Sequence, residues 1–466
     1  MGIQQNALLE TQFQLCTDIQ CLHCGELLHI DVNNHQSLTC SKCDAHYPIL
    51  QIGDVKLPLI FEDIDAILFG WFARLNGFKD KLDQEIIELA AQSKNKKNSQ
   101  LSSKRLKKIL SAKKEFKIQI STLLECFDNP QATDRLITNS SLAKNQGIDS
   151  YINNIFRDWC WDNGENAEQL NAIEQVLPND YQAGKTLTLG SGGSRLSYDF
   201  HYAFNSNYSV LTDINPVLLG VAANIISNKS IELVEFPIAP LSLDDFAIKH
   251  DCQLAQHDNH EVDKFEFMLA DALNLPFIKN SFDTILTPWF IDIIPIDFRD
   301  FIPHVNQMLK VGGKWVNSGS IAFFHKNPTW NYSQEEIIDL LKKFGFDEIK
   351  FDRTEINYLN SPYSSHGRRE KIFSFSATKK FNSKQPDKFN YTSEWMRDLD
   401  KHVPAQEQFT AMSSKYLLQA QILSAVDGNR SISEISRLIA KQYEIPEEQA
   451  RAAVRQIFED NLEQRN

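Results

Sequence analysis

Several features are missing from this 466-residue chain, and each absence closes off a class of protein. No stretch of about 18 uninterrupted apolar residues occurs, so no membrane-spanning helix is expected. The opening Met1-Gly2-Ile3-Gln4-Gln5-Asn6 has no basic start leading into an apolar core, which argues against a secretory signal. A cationic surplus is missing too. The 61 acidic residues outnumber 48 Lys and Arg, and the formal net charge of −13 is the wrong sign for coating phosphate backbones. No long-period repeat is present, so a solenoid or propeller is not expected.

What remains is an ordinary globular composition, 42% apolar, long enough for two to four domains with real cores. One segment runs against the acidic average. Lys94 to Lys117 carries ten Lys or Arg and a single acid, Glu115. Leu106, Ile109, Leu110, Phe116 and Ile120 recur near helical spacing, which predicts an amphipathic helix with a solvated basic face, favoured over an RNA-contact helix.

Four of the eight cysteines are grouped. Cys21-Leu-His-Cys24 and Cys40-Ser-Lys-Cys43 form two C-x-x-C pairs with fifteen residues between them. Each pair sits on a tight knuckle and points two thiolates at one tetrahedral centre, which suits structural Zn²⁺. Cys16, Cys126, Cys160 and Cys252 read as isolated. Thiolate ligands imply a reducing compartment, and a cytoplasmic location is the expectation.

Four pieces follow in order: a zinc ribbon over 15–60, a helical connector with the basic segment over 61–148, an α/β domain over 149–380, and a compact helical module over 412–466. Within the ribbon, Gly53-Asp54 is the turn of a hairpin. Pro240 to His260 reads as an acidic insertion or loop, and Lys379 to Lys388 as a linker. In the last module, Gly428 ends one helix, Ser431 or Ser433 caps the next with Glu434 in its first turn, and Pro446 starts a third. Three short helices with this turn predict a winged-helix or helix-turn-helix fold.

The α/β domain is the most informative part. Thr186-Leu-Thr-Leu189 is an apolar strand, Gly190-Ser-Gly192-Gly-Ser-Arg195 a turn into a helix, and Val210-Leu-Thr-Asp213 a strand ending in a carboxylate. Glycine lets backbone approach a ligand closely, and the carboxylate can accept both hydroxyls of a ribose. Strands ending at Asp271 and Pro288 and a Gly312-Gly313 turn follow. Arg195 stands where a dinucleotide fingerprint needs its third glycine, so the order fits a class I (Rossmann-like) methyltransferase using S-adenosylmethionine (SAM) better than a dehydrogenase.

Over about 149–380 the chain resembles the carnosine N-methyltransferase family. The resemblance rests on Phe156-Arg157-Asp158-Trp159, the Gly190 to Leu196 loop, Thr287-Pro-Trp-Phe-Ile-Asp292 and Trp315-Val-Asn317-x-Gly319. It implies that Arg157 and Arg195 hold the methionine end of SAM, with Asn154 beside them where the family has glutamine. Asp213 would take the ribose, Asp271 the adenine amino group, and Ala272 and Pro288 would also lie against the cofactor. Asp292 would face a substrate imidazole; the alternative is that it caps the following helix. The family's histidine falls at Phe324, one place before His325, which is the second catalytic candidate. The family's tyrosine-rich stretch corresponds to Ser364 to Lys371, where Arg368 and Arg369 suggest an acidic acceptor or simple solvation.

The flanks resemble other families. With Tyr47-Pro48-Ile49, the ribbon is similar to small zinc-ribbon subunits that bind methyltransferases acting on RNA and translation factors. Val426-Asp427-Gly428-x-Arg430-Ser-x-x-Glu434-Ile435 resembles PqqD-like domains, which hold the leader of a precursor peptide. The expected function is SAM-dependent N-methylation of an imidazole or similar nitrogen in a small peptide or peptide segment. The alternatives are methylation of RNA or a translation-related protein, and a non-catalytic SAM-binding regulator.

Overall fold

The computed structural model describes residues 19–31, 36–128, 147–254, 261–384 and 407–463, with isolated positions between the last two stretches. Cys16 and the opening residues lie outside the described residues, as do 255–260 of the expected insertion and parts of the 379–388 linker. The chain divides into two compact units, Met1–Phe389 and Asn390–Asn466.

The first unit begins with short strands β1 (Leu28–Ile30), β2 (Ser37–Cys40), β3 (His46–Ile52) and β4 (Val55–Ile60). Each pairs antiparallel with the next, and Ile52 faces Val55 across the two-residue Gly53-Asp54 turn. Two helices follow, α1 (Ile64–Ser93) and α2 (Gln100–Leu123), capped by Asp63 and Ser99. They pack through Phe78 on Phe116, with ring centroids 5.8 Å apart.

The basic face of α2 meets its own protein. Lys117 pairs with Asp83 at 2.6 Å and Lys113 with Glu85 at 2.8 Å, both on α1. Lys113 also lies over the Phe236 ring, Arg105 over Phe246, and Lys108 Nζ donates to the Asp244 carbonyl. These four cations neutralise α1 and cover the segment before residue 248, while Lys104, Lys107 and Lys114 keep the exposed basic face that the spacing predicts.

Helices α3 (Asn153–Trp159) and α4 (Glu165–Glu174) lead into β5 (Gly184–Leu189), α5 (Arg195–Ala203), β6 (Ser206–Asp213) and α6 (Pro216–Ile226). The hairpin strands β7 (Ile231–Glu235) and β8 (Ile248–Cys252) stand apart as a two-stranded sheet. Then come β9 (Phe265–Ala270), β10 (Phe282–Pro288), α7 (Phe298–Met308), β11 (Leu309–Gly319), α8 (Gln334–Lys343), β12 (Phe346–Tyr358) and β13 (Arg368–Lys379).

All but β7 and β8 form one sheet, ordered β1-β2-β3-β4-β9-β6-β5-β10-β11-β13-β12. Pairing is parallel from β4 through β11 and antiparallel at β13 and β12. Strands β5, β6, β9 and β10 are nearly all buried, and they carry Thr and Ser beside the apolar residues, because helices cover both faces. This is the Rossmann-like class I methyltransferase arrangement, with the N-terminal hairpin joined to the β9 side. Chain order reverses between β5 and β10, and open α/β sheets bind ligands outside the strand C-termini at that switch point.

The junction of the N-terminal strands with the domain is specific. Asn224 of α6 donates Nδ2 to the Ile52 and Gly220 carbonyls at 2.9 and 2.7 Å, and its Oδ1 accepts the Asp54 N–H at 2.8 Å.

The second unit holds α9 (Glu407–Ser424), α10 (Ile432–Tyr443) and α11 (Glu447–Glu463) around Ile422, Ile435, Ile439, Ala450 and Val454. Ser431 starts α10 with a capping box: its Oγ accepts the Glu434 N–H, and Glu434 Oε2 accepts the Ser431 N–H at 2.7 Å. Among the described residues, no helix is long and apolar enough to cross a membrane.

Candidate active site

The loop leaving β5 turns sharply because Gly190, Gly192 and Ser194 all take left-handed φ values of 55 to 65°. A side chain at Gly190 would meet the Phe290 ring at 2.2 Å, whereas one at Gly192 would enter open space. Gly190 therefore admits a neighbouring ring, and Gly192 leaves room over the loop. Asp213, at the end of β6, fastens the turn: Oδ2 accepts the Gly192 N–H and Oδ1 the Asn215 N–H, each at 2.8 Å. Burial raises its carboxyl above the usual range, and these backbone donors act the other way.

Helix α3 lies against this loop. Trp159 Nε1 donates to the Gly193 carbonyl at 2.7 Å. Arg157 holds Asp158 Oδ1 through Nε and Nη2, both at 2.7 Å, and Arg195 Nη1 reaches the Asp158 carbonyl at 3.2 Å. The two arginines thus converge on the two ends of Asp158. Burial works against the Arg157 cation, but the Asp158 charge and hydrogen bond outweigh it and raise its pKa. Arg195 also grips both Asp199 oxygens through Nε and lies over the Trp159 ring. Asn154 Oδ1 and Ser191 Oγ are buried with no hydrogen-bond partner. Buried polar atoms normally find partners, so both atoms are candidates to meet a polar ligand.

On the far side of the switch point, β10 ends in Pro288 and passes through Trp289, whose φ is 50°. Phe290 folds back over Gly190, while Trp289 meets Tyr358 with ring centroids 4.4 Å apart. Asp292 does not cap the next helix. That position belongs to Asp297, whose Oδ1 accepts the Arg299 N–H at 2.8 Å. Burial pushes the Asp292 carboxyl up, opposed by the Ser320 hydroxyl and the Ala322 N–H.

Phe324, aligned with the family's histidine, is 92% exposed, while the neighbouring His325 ring turns inward between Phe323 and Trp330. His325 Nε2 and Trp289 Nε1 are both buried without a partner. Asp271 follows β9 and accepts the Leu273 N–H at 2.9 Å, and Ala272 beside it is buried.

Sequence reasoning missed one cluster here. Glu235, buried at the end of β7, accepts Trp161 Nε1 at 2.9 Å and Ser361 Oγ at 2.5 Å, with His250 Nε2 at 2.7 Å. It ties the segment that follows α3 to the β12–β13 loop. Its members are spread over about two hundred residues, so no local pattern announces it.

The four cysteine sulfurs, remote in sequence from these groups, lie within 4.8 Å of one another. Cys21 and Cys43 are 3.6 Å apart and Cys24 and Cys40 3.4 Å, close to the edge of about 3.8 Å expected for a tetrahedral zinc–thiolate centre. Burial works against the Cys21 thiolate, yet the Tyr47 hydroxyl and the His23 and Cys24 N–H groups pull its pKa down to about 6. The donor set fits Zn²⁺. Cys160 and Cys252, isolated in sequence, bring their sulfurs to 2.8 Å.

Comparison with known proteins places the chain among methyltransferases. The carnosine N-methyltransferase family profile matches residues 134–381, and that of coenzyme PQQ synthesis protein D matches 420–465. The carnosine N-methyltransferase of Dictyostelium discoideum is 31% identical over 88 residues, 18% of this chain and 19% of that protein. The chain therefore matches about a fifth of that relative's length.

Among solved structures, a SAM-dependent methyltransferase of Thermotoga maritima is 16% identical, covering 48% of this chain and 91% of its own, with a TM-score of 0.28. Phosphoethanolamine N-methyltransferase 2 of Haemonchus contortus, in complex with SAM, is 17% identical over 50% and 57% of the two chains, TM-score 0.32. A chain of the Haloferax volcanii complex between the Trm112 methyltransferase activator and a methyltransferase is 10% identical over 50% and 95%, TM-score 0.32. With more than half of its length matched by the first profile, the chain belongs to the carnosine N-methyltransferase family.

Proposed function

We propose that the protein is a SAM-dependent N-methyltransferase acting on an imidazole, or a similar nitrogen, in a small peptide or peptide segment. The observation that carries this reading is Asp292: a burial-raised carboxyl just beyond β10, across the switch point from the Gly190 loop, with no helix to cap.

Bound SAM would supply an electrophilic methyl group on a sulfonium. Arg157, Arg195 and Asn154 would hold its methionine end, Asp213 its ribose, and Asp271, Ala272 and Pro288 its adenine side. Asn154 Oδ1 and the open space over Gly192 fit this placement. The acceptor must present a neutral lone pair in line with the methyl group, in a site that excludes water. Asp292 would accept the imidazole N–H, fix the tautomer and stabilise the cation that forms. His325 Nε2 stands ready as a second polar contact.

The four thiolates would hold structural Zn²⁺ away from the chemistry, and the C-terminal module would hold a precursor-type peptide segment. A nucleic-acid substrate draws less support from α2 than its charge suggests, because Lys113 and Lys117 are paired with acids of α1.

The test is methyl transfer from labelled SAM to a panel of histidine-containing small peptides and free imidazoles. Asp292→Asn should lower turnover about 100-fold or more while SAM affinity holds. Because burial raises the Asp292 pKa, wild-type activity should fall with acid from a point above the ordinary carboxylate value of about 4. The variant should lose that limb. Unchanged turnover in Asp292→Asn would remove the imidazole role.

A further inference from the structure

Beyond Asp292 the sheet carries a second acid that the chemistry above leaves unused. The register of β12 and β13 sets Ile356 opposite Glu370 and Tyr358 opposite Arg368, and directly paired residues share a face. On that face Ile356 and Ile372 pack with Ala172 and Trp289. Trp289 and Tyr358 stand ring to ring, and Arg368 Cζ lies 4.4 Å above the Tyr358 ring. Arg369 turns the other way and pairs with Glu355 at 3.1 Å. Glu370 is held by Arg368 Nε at 2.9 Å. It is also near enough to Asp292 and Tyr358 for its charge to reach both.

We propose that Glu370 is a specificity-determining residue that binds a cationic group, an ammonium a few bonds from the acceptor's reactive ring, with Trp289 and Tyr358 as the aromatic ledge for the ring. This inference rests on the acceptor-side placement of Asp292. Two carboxylates this near repel each other. Arg368 offsets Glu370 through one contact, and at 58% side-chain exposure that contact is well screened. A cation from the acceptor relieves the repulsion and is attracted by the Trp289 ring, as Arg368 is by Tyr358. The Trp289 Nε1 donor without a partner gives the acceptor a further polar contact on the same ledge. An anionic acceptor of the same size meets repulsion instead. The pocket therefore reads amine-bearing rather than carboxylate-bearing acceptors.

Titration calorimetry on the full chain loaded with S-adenosylhomocysteine tests this. The probes are histamine (cationic), imidazole-4-acetate (anionic) and phenethylamine (a cation without imidazole). Histamine should bind at least about tenfold tighter than imidazole-4-acetate. Glu370→Gln should erase the preference without changing S-adenosylhomocysteine affinity or Tm. Arg368→Met should tighten histamine binding by releasing Glu370, a gain that a merely structural role would not produce. Equal affinities in the wild type, or a preference that survives Glu370→Gln, would overturn the inference. Glu370-dependent phenethylamine binding with no imidazole bound or methylated would keep the cation subsite and sink the imidazole reading.

Discussion

Gly190→Ala gives the most direct test of how the loop after β5 is built. At φ 63°, alanine pays a left-handed backbone penalty of about 1–2 kcal/mol. Its Cβ would also stand 2.2 Å from Phe290 Cδ2, so the ring must move. Overpacking of this kind adds about 1–3 kcal/mol, for a total loss of about 2–5 kcal/mol. Gly192→Ala, at φ 55° with open space above it, should show the backbone part alone.

The assay is urea unfolding of each variant, with SAM affinity by calorimetry. Phe290→Ala combined with Gly190→Ala should recover about 1–3 kcal/mol relative to the sum of the single changes, because the collision is gone. Phe290 is two residues from Asp292, so Gly190→Ala should also depress turnover. Strict additivity of the pair, or equal losses in Gly190→Ala and Gly192→Ala, would refute the steric argument.

Purified protein should carry equimolar zinc, and chelation should lower both Tm and SAM affinity, since β4 pairs with β9 and β9 leads into Asp271; retention of both after metal loss would contradict the structural role. Asn224→Ala should cost about 2–4 kcal/mol in unfolding free energy by stranding the Ile52 carbonyl and the Asp54 N–H, and a loss below 1 kcal/mol would show that water replaces the amide. Burial pulls His304 down to about 4, so the unfolded chain binds more protons between roughly pH 4 and 6.5. Stability should then fall as pH drops through that window, by up to about 3 kcal/mol, and His304→Gln should flatten the dependence.

Features encoded over short stretches were open to reading. The Gly190 to Asp213 unit declares itself because turn geometry, strand burial and the terminal carboxylate are all set within about 25 residues. The cysteine spacing and the Ser431–Glu434 capping box are legible for the same reason. What escaped depends on distant strands meeting. Cys160 and Cys252 look isolated until α3 and β8 are side by side. Glu235 looks like one more surface acid until Trp161, His250 and Ser361 enclose it. The pairing of Lys113 and Lys117 within the basic run of α2 was hidden because Glu85 and Asp83 lie on another helix. The Phe324–His325 ambiguity has a different cause: the segment is irregular, so no period dictates which side chain turns inward.

The pairing of β4 with β9 also bears on how the chain comes to be assembled. Leu59 and Ile60 meet Leu269 and Ala270, partners that leave the ribosome about two hundred residues later. For that interval β4 is an open edge, and unpaired edges template aggregation. It is also short, at six residues, with Pro58 inside it, features that discourage pairing with a stranger. When β9 arrives, the tether makes the encounter intramolecular, at an effective concentration no separate subunit would sustain without high expression. Carrying both strands in one chain thus gives every nascent sheet its own hairpin to cover the β9 edge, in fixed stoichiometry.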